Sequence, residues 1–376
     1  MNIVWWIVVF SLQALVTFVV STLLFDTLHY LLHRWGRSHN RLLRAFASWH
    51  WVHHAFLDRK MRVNLEIAAR NIWYHVLPEY LTSMAGTLLF LLVFPWLPIA
   101  LVAVLRTWML VLTIRDEGLD ANHMAMDRIS GRQGLLWVGQ DYHAMHHVYP
   151  DNFYSSFSNV FDLIFGTTCQ VDGRHFLITG ANGAFGSAMK RRLENLGAIV
   201  EVAKSGADFS AGDYGRIADK LARAEVLVLA HGAKTEDCWN ANYTTFVDLT
   251  DRFIDAGKGR LIPPEVWALG SEAELHGDMG LAELRDYAAS KRAFAQRARG
   301  YYRNPALIYR HIVPSSFTSA MGKGQMSAGT AVNIALFFIQ RGFSYVPVTL
   351  TSLAIWNYFR FLALNPAEAP LTGRRA

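Results

Sequence analysis

Histidines in the first half of the chain recur at spacings that suit metal coordination. The stretch WHWVHHAF contains an HxxHH pattern, DYHAMHHVYP repeats it, and FDTLHYLLHR contains an HxxxH pair. The three boxes comprise eight histidines: His29, His33, His50, His53, His54, His143, His146 and His147. Because residues three and four apart share one face of a helix, each box would direct its rings to one side. Neutral imidazole is the commonest metal ligand and suits iron or zinc.

This clustering exceeds what the composition explains. Histidine accounts for 15 of 376 residues, so one HxxHH is expected by chance roughly 0.02 times in this length. Eight ligands are too many for one tetrahedral zinc and match a two-metal site. His39 and His75 stand apart from the boxes, and we interpret both as structural.

Long apolar segments flank the boxes and predict membrane helices. Asn2–Phe25 carries no charge and is long enough to cross a hydrocarbon core of about 30 Å. A second apolar region, Val76–Ile114, is interrupted by Glu79 and Arg106 and contains FPWLP at Phe94–Pro98. We therefore expect a helical hairpin with a short second arm, and a re-entrant hairpin is the alternative. Snorkelling to the interface is the favoured interpretation of Arg106, with a functional role as the alternative.

Charge and cysteine content indicate the compartment. Four arginines follow the first apolar segment: Arg34, Arg37, Arg41 and Arg44. They predict a cytosolic flank, and three crossings would leave the second half cytosolic as well. A cleaved signal peptide is the competing interpretation, but the segment lacks a basic start and a cleavage site. The net charge of +6 suits a membrane-facing surface, and no nucleic-acid motif accompanies it. Cys169 and Cys238 are too few for a disulfide framework.

The character of the chain changes near residue 170. Short apolar strands such as HFLITG, AIVEVA, AEVLVLA and RLIPPEVWALG alternate with helical patterns, which predicts βαβ units around a parallel sheet. The predicted fold is an all-α integral membrane histidine-box domain over residues 1–168, followed by an α/β Rossmann-like doubly wound domain over residues 173–365. We expect residues 366–376 to form a loose tail.

The first half resembles the fatty acid hydroxylase/sterol desaturase superfamily over about residues 20–168, on its three boxes and the trailing FDLIFGT. The resemblance implies that the eight box histidines bind two iron ions, with zinc as the alternative, and that His123 is a further ligand. It also implies dioxygen-dependent hydroxylation or desaturation of a lipid, with electrons from a separate ferredoxin or cytochrome-type partner. Family members commonly cross the membrane four times, whereas three crossings are predicted here. Asp26 could orient an imidazole, and a plain polar role at the helix end is an equal alternative.

A glycine-rich turn opens the second half. FLITGANGAFG places Gly180, Gly183 and Gly186 between a predicted strand and a predicted helix. Glycines let the backbone approach a pyrophosphate at a helix N-terminus.

Further motifs follow in order: LAHGA, Asn242, LGS and the YxxxK pair Tyr287 and Lys291. This series resembles the short-chain dehydrogenase/reductase family over about residues 173–360. The resemblance implies catalytic roles for Asn242, Ser271, Tyr287 and Lys291. It implies nucleotide-binding roles for Thr179, Gly180, Gly183, Phe185, Gly186, Asp208, His231, Gly232, Ala233 and Lys291.

The chemistry of these residues is coherent in itself. A tyrosine near an ammonium ionises more readily and becomes a usable general acid/base. Tyr287 and Lys291 share a helical face, and Ser271 would hold the substrate oxygen. Lys204 and Ser205 follow the second strand, where a basic residue favours NADP(H) over NAD(H).

Three hypotheses remain open. The first is a bifunctional lipid oxidoreductase that couples di-iron oxidation to alcohol/carbonyl interconversion. The second is a single activity: a hydroxylase with a non-catalytic nucleotide domain, or a membrane-anchored NADPH reductase with a structural metal site. The third is a membrane metal-binding or NADPH-sensing protein without catalysis.

Overall fold

The computed structural model describes the backbone of residues 2–131, 134, 136–234, 237–320 and 322–364. These residues form two compact units, with the division between Thr168 and Cys169. Ser130 and Gly131 pack with the second unit. The predicted loose tail lies outside the described residues.

The first unit is helical. Its helices are α1 (Ile3–Trp35), α2 (Arg41–Phe56), α3 (Ala68–Asn71), α4 (Leu77–Leu89), α5 (Trp96–Arg115), α6 (Gln140–Val148) and α7 (Val160–Phe165). A π-helical turn, Ile72–Val76, leads directly into α4. Asparagine side chains begin the first two helices, since Asn2 accepts from the Val4 amide and Asn40 from the Leu42 amide. Such caps satisfy amides that have no partner inside the helix.

The second apolar region is a helical hairpin, but its arms differ from the prediction. Its first arm, α4, has 13 residues and ends in a short 3₁₀ turn at Phe90–Leu92. Its second arm, α5, has 20 residues and begins after Pro95, so the second arm is the longer one. Proline lacks the amide hydrogen that would bond to the preceding helical turn, which explains why the break lies at Pro95. Among the described residues, α1 and α5 are the two helices long and apolar enough to cross a membrane.

Both helices expose apolar side chains, and α1 buries mainly polar ones. Six of the seven buried residues of α1 are polar: Thr17, Ser21, Thr22, Asp26, His29 and His33. The outward side of the same helix exposes Trp5, Leu12 and Leu24. Arg106 is also buried, in the middle of α5, and its guanidinium bonds to α1. The snorkelling interpretation of Arg106 is therefore wrong, because the side chain stays buried and bonds to hydroxyls of α1.

The second unit is an α/β domain. Its strands are β1 (His175–Thr179), β2 (Ile199–Ala203), β3 (Val226–Leu229), β4 (Glu265–Leu269), β5 (Ile308–Pro314) and β6 (Tyr345–Val348). Its helices are α8 (Ala184–Asn195), α9 (Ala218–Arg223), α10 (Thr245–Ala256), α11 (Ala273–His276), α12 (Arg285–Ala298), α13 (Ala328–Ile339) and α14 (Leu353–Leu364). All six strands are parallel, in the order β2-β1-β3-β4-β5-β6.

The sheet is doubly wound, which confirms the predicted fold class. The chain runs from β1 to one edge and then returns to continue on the other side, so the order reverses between β1 and β3. In such sheets, ligands bind beyond the carboxyl ends of the strands at this switch point. Separate apolar clusters cover the two faces, one around Phe176 and Trp267 and the other around Leu227 and Phe253. The strands are nearly continuous apolar runs because both faces are buried.

The apolar C-terminal stretch divides between core and surface. Helix α13 buries Ala331, Leu336 and Ile339 in the core. Helix α14 exposes Trp356 and Phe359.

Candidate functional site

Nine imidazoles of the first unit converge into two groups, together called the histidine cage. The five-histidine group comprises His29, His33, His50, His54 and His146, and the four-histidine group comprises His53, His123, His143 and His147. Within each group, one ring nitrogen per residue lies within 4.8 Å of every other. The ligands come from α1, α2, α6 and the segment after α5. Every predicted metal ligand therefore belongs to one group or the other.

The spacing of the nitrogens resembles that of ligands around one ion. In the five-histidine group, His33 Nε2 lies 2.9 Å from His50 Nε2, and His54 Nε2 lies 3.3 and 3.1 Å from the same two atoms. Two nitrogens each about 2.1 Å from a metal are separated by about 3.0 Å at right angles and by about 3.4 Å in a tetrahedron.

Backbone carbonyls fix several ring tautomers. His146 Nδ1 donates to Asn152 O at 2.8 Å, and His147 Nδ1 donates to Leu57 O at 2.8 Å. Each of these rings then presents the lone pair of its Nε2 to the cage, which is the form that binds a metal. A carboxylate does the same for His123, whose Nδ1 lies 2.8 Å from Asp120 Oδ1. Such outer contacts orient ligands and raise their basicity.

The cage nitrogens fit a bound metal because many of them have no other partner. Within the described residues, six buried nitrogens of the four-histidine group make no hydrogen bond: both of His53, both of His143, and Nε2 of His123 and of His147. Leaving buried polar atoms unsatisfied costs about 1–3 kcal/mol each. A metal ion would bind one nitrogen of each of these four rings and so remove that cost for four of the six atoms, which means that the residues present fit the implied group.

Burial keeps the rings neutral. It lowers the pKa of His146 to about 4 and lowers the pKa of His53, His54 and His147 well below the usual value, and the neighbouring imidazoles reinforce the shift. For His123, burial also acts to lower the pKa, but the Asp120 carboxylate outweighs it and the pKa is raised.

The structure places the remaining candidates of the first unit as follows. His75 stacks on His53 with ring centroids 3.6 Å apart and is buried in the wall of the cage. His39 is exposed. Asp26 does not orient an imidazole, because its Oδ1 accepts from the Ser156 amide and its Oδ2 has no partner among the described residues. Asp120 was missed by sequence reasoning, although its position three residues before His123 is a usable signal.

A cavity of about 560 Å³ adjoins the cage. His29 of the five-histidine group and His123 and His143 of the four-histidine group line it. The other walls are mainly apolar and include Phe25, Val76, Met109, Leu110, Leu119 and Phe157. Its size suits a small lipid or a single acyl chain.

In the second unit, the glycine turn lies at the switch point of the sheet. Gly180 has φ +69°, and a Cβ there would lie 2.5 Å from the His231 amide nitrogen at the end of β3. A Cβ on Gly186 would lie 2.2 Å from Gly180 O, whereas the nearest atom to one on Gly183 is 3.3 Å away. Thr179 joins the two strand ends, because its hydroxyl accepts from the Ala230 amide and contacts His231 Nδ1 at 2.7 Å. These are the close approaches that a phosphate-binding turn requires.

Two of the predicted nucleotide-binding residues have side chains that contact other parts of the protein. Phe185 is buried in the core beside Phe317 because its position in the first turn of α8 faces the sheet, so its ring is not available to a cofactor. Asp208 closes the loop after β2 by accepting from the Lys204 amide, and it forms an ion pair with Lys220 at 2.9 Å. Lys204 and Ser205 are exposed on that loop.

Asn242 supports the loop after β3. It lies in a π-helical turn, Asn240–Thr244, and is completely buried. Its amide group accepts from the Ala233 amide at 3.2 Å and donates to Ala233 O at 2.8 Å. A Cβ on Gly232 would lie 2.6 Å from Asn242 Oδ1. Such π-helical turns are frequent at functional sites. His231 also supports this loop, since its ring joins the hydroxyls of Thr179 and Thr245.

The predicted catalytic side chains converge at the ends of β4 and α12. Ser271 follows β4 and is hydrogen-bonded to Tyr287. Lys291, one turn along α12, donates to Leu269 O at 2.8 Å. Burial raises the pKa of Tyr287, and the Ser271 hydrogen bond acts in the opposite direction. The expectation that Lys291 makes Tyr287 more acidic is not met, because burial outweighs the interactions that lower the pKa of Tyr287 and Lys291 is not among them. Burial lowers the pKa of Lys291 itself to about 8.

A buried pair behind Ser271 was not anticipated from the sequence. Glu274 accepts from the Ser271 amide at 3.2 Å and lies 3.0 Å from His311 Nε2, while His311 Nδ1 lies 2.9 Å from the Tyr309 hydroxyl. These residues support the Ser271 loop from the core. No spacing pattern marks them, since His311 is 37 residues from Glu274.

Fold and sites together define a chain with a helical histidine-cage domain followed by a Rossmann-like domain. No family model matches it. The chain is similar to a monoglucosyldiacylglycerol epimerase of Synechocystis sp., with 25% identity over an alignment of 376 positions, gaps included, that covers 87% of this chain and 89% of the relative. Solved structures with a similar fold include a short-chain dehydrogenase from Burkholderia cenocepacia in complex with NADP, at 16% identity and a TM-score of 0.42, covering 52% of this chain and 95% of that one. Another is a short-chain dehydrogenase from Sphingobium yanoikuyae in complex with NADPH, at 16% identity and a TM-score of 0.39. That match covers 54% of this chain and 100% of the solved one.

Proposed function

We propose that the protein is an integral membrane lipid oxidoreductase, with its metal site and second unit on the cytosolic side. The burial pattern of α1 and α5 supports embedding in a bilayer. Both helices expose apolar side chains over lengths that span a hydrocarbon core, and most of the buried side chains of α1 are polar. In water this arrangement would expose a large apolar surface, whereas in lipid it satisfies each polar group internally.

In this proposal the cage holds two iron ions, one in each group. A bound iron pair would activate dioxygen for attack on an unactivated C–H bond of a lipid, with electrons from a separate ferredoxin or cytochrome-type partner. The chain supplies neutral imidazole nitrogens, and Asp120 and the carbonyls of Leu57 and Asn152 orient the rings. The adjoining apolar cavity would receive the lipid and exclude water.

The second unit would interconvert an alcohol and a carbonyl. A bound NADP(H) would accept or supply the hydride, and Lys204 and Ser205 favour it over NAD(H). Ser271 would hold the substrate oxygen, and Tyr287 would move the proton at that oxygen. Lys291 would bind the ribose, and Asn242 keeps the loop after β3 in place.

One observation carries the proposal: histidines from four separate segments converge into two groups beside a mainly apolar cavity. A soluble reductase on a simple anchor has no need of this arrangement. A hydroxylase with a non-catalytic nucleotide unit is less consistent with the contact between Ser271 and Tyr287.

The relative in Synechocystis favours a second candidate. An epimerase inverts one stereocentre without net oxidation. On this chain, the second unit would oxidise a hydroxyl of a glycolipid headgroup to a carbonyl while NADP⁺ is reduced. The NADPH formed would then return the hydride to the opposite face of that carbonyl. Each step moves one hydride between the carbon and the cofactor and one proton at the oxygen, in opposite directions in the two steps, so the cofactor and the general acid/base are both regenerated.

Metal analysis and product analysis test these alternatives. About two irons per chain would support the proposal, whereas zinc alone or no metal would contradict the dioxygen chemistry. Lipid products should then be compared with and without oxygen and NADPH, for the wild type, His146→Ala and Tyr287→Phe. If only Tyr287→Phe changes the products and oxygen is not consumed, the epimerase candidate is favoured. If Tyr287→Phe changes nothing, the second activity is wrong.

A further inference from the structure

Arg106 lies within the membrane-spanning part of the first unit and is only 7% exposed. Its Nε donates to Thr87 at 3.1 Å, and its Nη2 donates to Ser21 and Thr22 at 2.7 and 2.9 Å. The guanidinium also lies 4.6 Å from the centre of the Phe18 ring. These hydroxyls and the ring hold the guanidinium in one orientation.

The third nitrogen of Arg106 has no protein acceptor. Nη1 donates to none of the described residues, and no described carboxylate is in ion-pair contact with this arginine. Arg106 nevertheless lines the cavity that adjoins the histidine cage. A charged group at this depth is costly, and such residues are rarely retained without a functional partner. The two N–H groups of Nη1 are therefore available to donate to an oxygen of a ligand in the cavity.

The position of Arg106 along the cavity determines how far from the histidine cage a ligand oxygen bound to Nη1 would lie. Ser21, which accepts from Arg106, precedes the cage ligand His29 by eight residues of the same helix, which corresponds to about 12 Å along the axis. Between these two ends the cavity wall is mainly apolar, with Phe25, Met109 and Leu110 among its residues.

The other polar groups of the cavity indicate the charge of the ligand. Glu79, Asp116 and Asp120 also line it. An anionic headgroup would meet these carboxyl groups, whereas a hydroxyl or carbonyl oxygen can accept from Arg106 without that repulsion. A hydrocarbon end would leave Nη1 unsatisfied.

We propose that Arg106 is a specificity-determining residue that binds a neutral hydroxyl or carbonyl oxygen of an elongated lipid, about 12 Å from the end of the cavity that faces the cage. The inference rests on the proposed function insofar as this lipid is the substrate of the cage. It adds that the substrate already carries an uncharged oxygen remote from the carbon that reacts.

Lipid binding to the purified full-length protein tests this assignment without metal or nucleotide. Saturable binding of 1-hexadecanol, hexadecane and hexadecanoate would be measured in one detergent. Each lipid also partitions into the detergent micelles. This partition is the same for all protein variants, so it does not affect the ratio of their affinities for one lipid. A hydrogen bond to a charged group predicts that wild-type protein prefers the alcohol over the alkane by roughly 10- to 100-fold. Hexadecanoate should bind more weakly than the alcohol.

Two variants separate binding from folding. Arg106→Met should remove the preference for the alcohol and leave the affinity for hexadecane unchanged. Arg106→Lys keeps a charge for the hydroxyls of α1 but has no second nitrogen for the cavity, so it should fold and also lose the preference. The control Arg115→Met, on the exposed end of the same helix, should keep it.

The assignment is overturned if wild-type protein does not distinguish alcohol from alkane, or if both Arg106 variants keep the preference. Tightest binding of hexadecanoate would also overturn it, in favour of an anionic ligand. If these binding results fail while the iron and product analyses succeed, only the role of Arg106 is lost. If binding succeeds but oxidation fails, the cavity binds oxygenated lipids in a protein of different activity.

Discussion

His29 Nε2 and His146 Nε2 lie 2.9 Å apart, and the Nδ1 atom of each ring is within hydrogen-bonding distance of a backbone carbonyl, that of Tyr154 and that of Asn152. With the proton of each ring on Nδ1, both Nε2 atoms present lone pairs to each other. Two lone pairs at this distance repel, and a cation between them converts the repulsion into two bonds. The metal-free cage is therefore under electrostatic stress.

Removal of metal should accordingly destabilise the protein. A ligand that binds only the folded state stabilises it by mass action, so chelation is expected to lower the Tm by about 5 °C or more. Thermal unfolding in detergent before and after chelation measures this, and adding Fe²⁺ should restore the Tm. The His146→Ala variant should show a smaller chelator effect, and His39→Ala, on an exposed histidine, should behave like wild type. An unchanged Tm on chelation would contradict a metal in the cage.

Asp120 should matter for metal affinity although it is not a ligand. Asp120→Asn weakens the hold on His123 Nδ1, and loss of such an outer contact commonly costs 10- to 100-fold in affinity. Competition with a metal indicator measures the change. Asp127→Asn, on an exposed carboxylate seven residues along, is the matched control. Equal metal affinities for the two variants would show that Asp120 serves only to accept hydrogen bonds from the backbone amides of its own turn.

The pH dependence of nucleotide binding should follow Lys291. Its pKa is lowered to about 8 by burial, so the ammonium is present below that pH and is lost above it. We expect the Kd for NADPH to rise as the pH passes through about 8. Lys291→Arg keeps its charge over this range and should remove the pH dependence, even if its affinity is lower. Fluorescence titration of NADPH from pH 6 to 10 is the measurement, and an unchanged pH profile in Lys291→Arg would assign the titration to another group.

The glycine turn offers a steric test. Alanine at Gly186 would place its Cβ 2.2 Å from a backbone oxygen, whereas at Gly183 the nearest atom is 3.3 Å away. Gly186→Ala should destabilise the second unit by about 1–3 kcal/mol and raise the Kd for NADPH at least about tenfold. Gly183→Ala should have a smaller effect on both. Denaturant unfolding and NADPH titration measure these quantities, and equal effects would contradict the close approach of α8 to the turn.

The sequence predicted the sites better than it predicted their supports. Histidine boxes and the glycine turn are local patterns, because residues three or four apart share a helical face and tight turns need glycine. The structure accordingly places His53 and His123 in the histidine cage and Tyr287 beside Ser271. Contacts from distant segments, such as His147 with the Leu57 carbonyl and Glu274 with His311, follow from tertiary packing and have no signature in the chain.

Arg106 and Phe185 show why local interpretation fails at two positions. An arginine in an apolar segment suggests escape to the interface, and only the facing hydroxyls of Ser21 and Thr22 reveal that it stays buried. Phe185 lies inside the glycine motif, but its direction depends on how α8 packs on the sheet. In both cases the partner lies on another element, and its identity is not encoded nearby.

The cage draws on positions from His29 to His147, and this sets an order of events during biosynthesis. Neither group is complete until the ribosome has released α6, because His146 and His147 come last. By then α1 and the hairpin have already left the exit tunnel. Under the proposed function, iron binding would therefore follow membrane insertion, and cells short of iron would accumulate an inserted chain without its metal, a target for quality-control proteases.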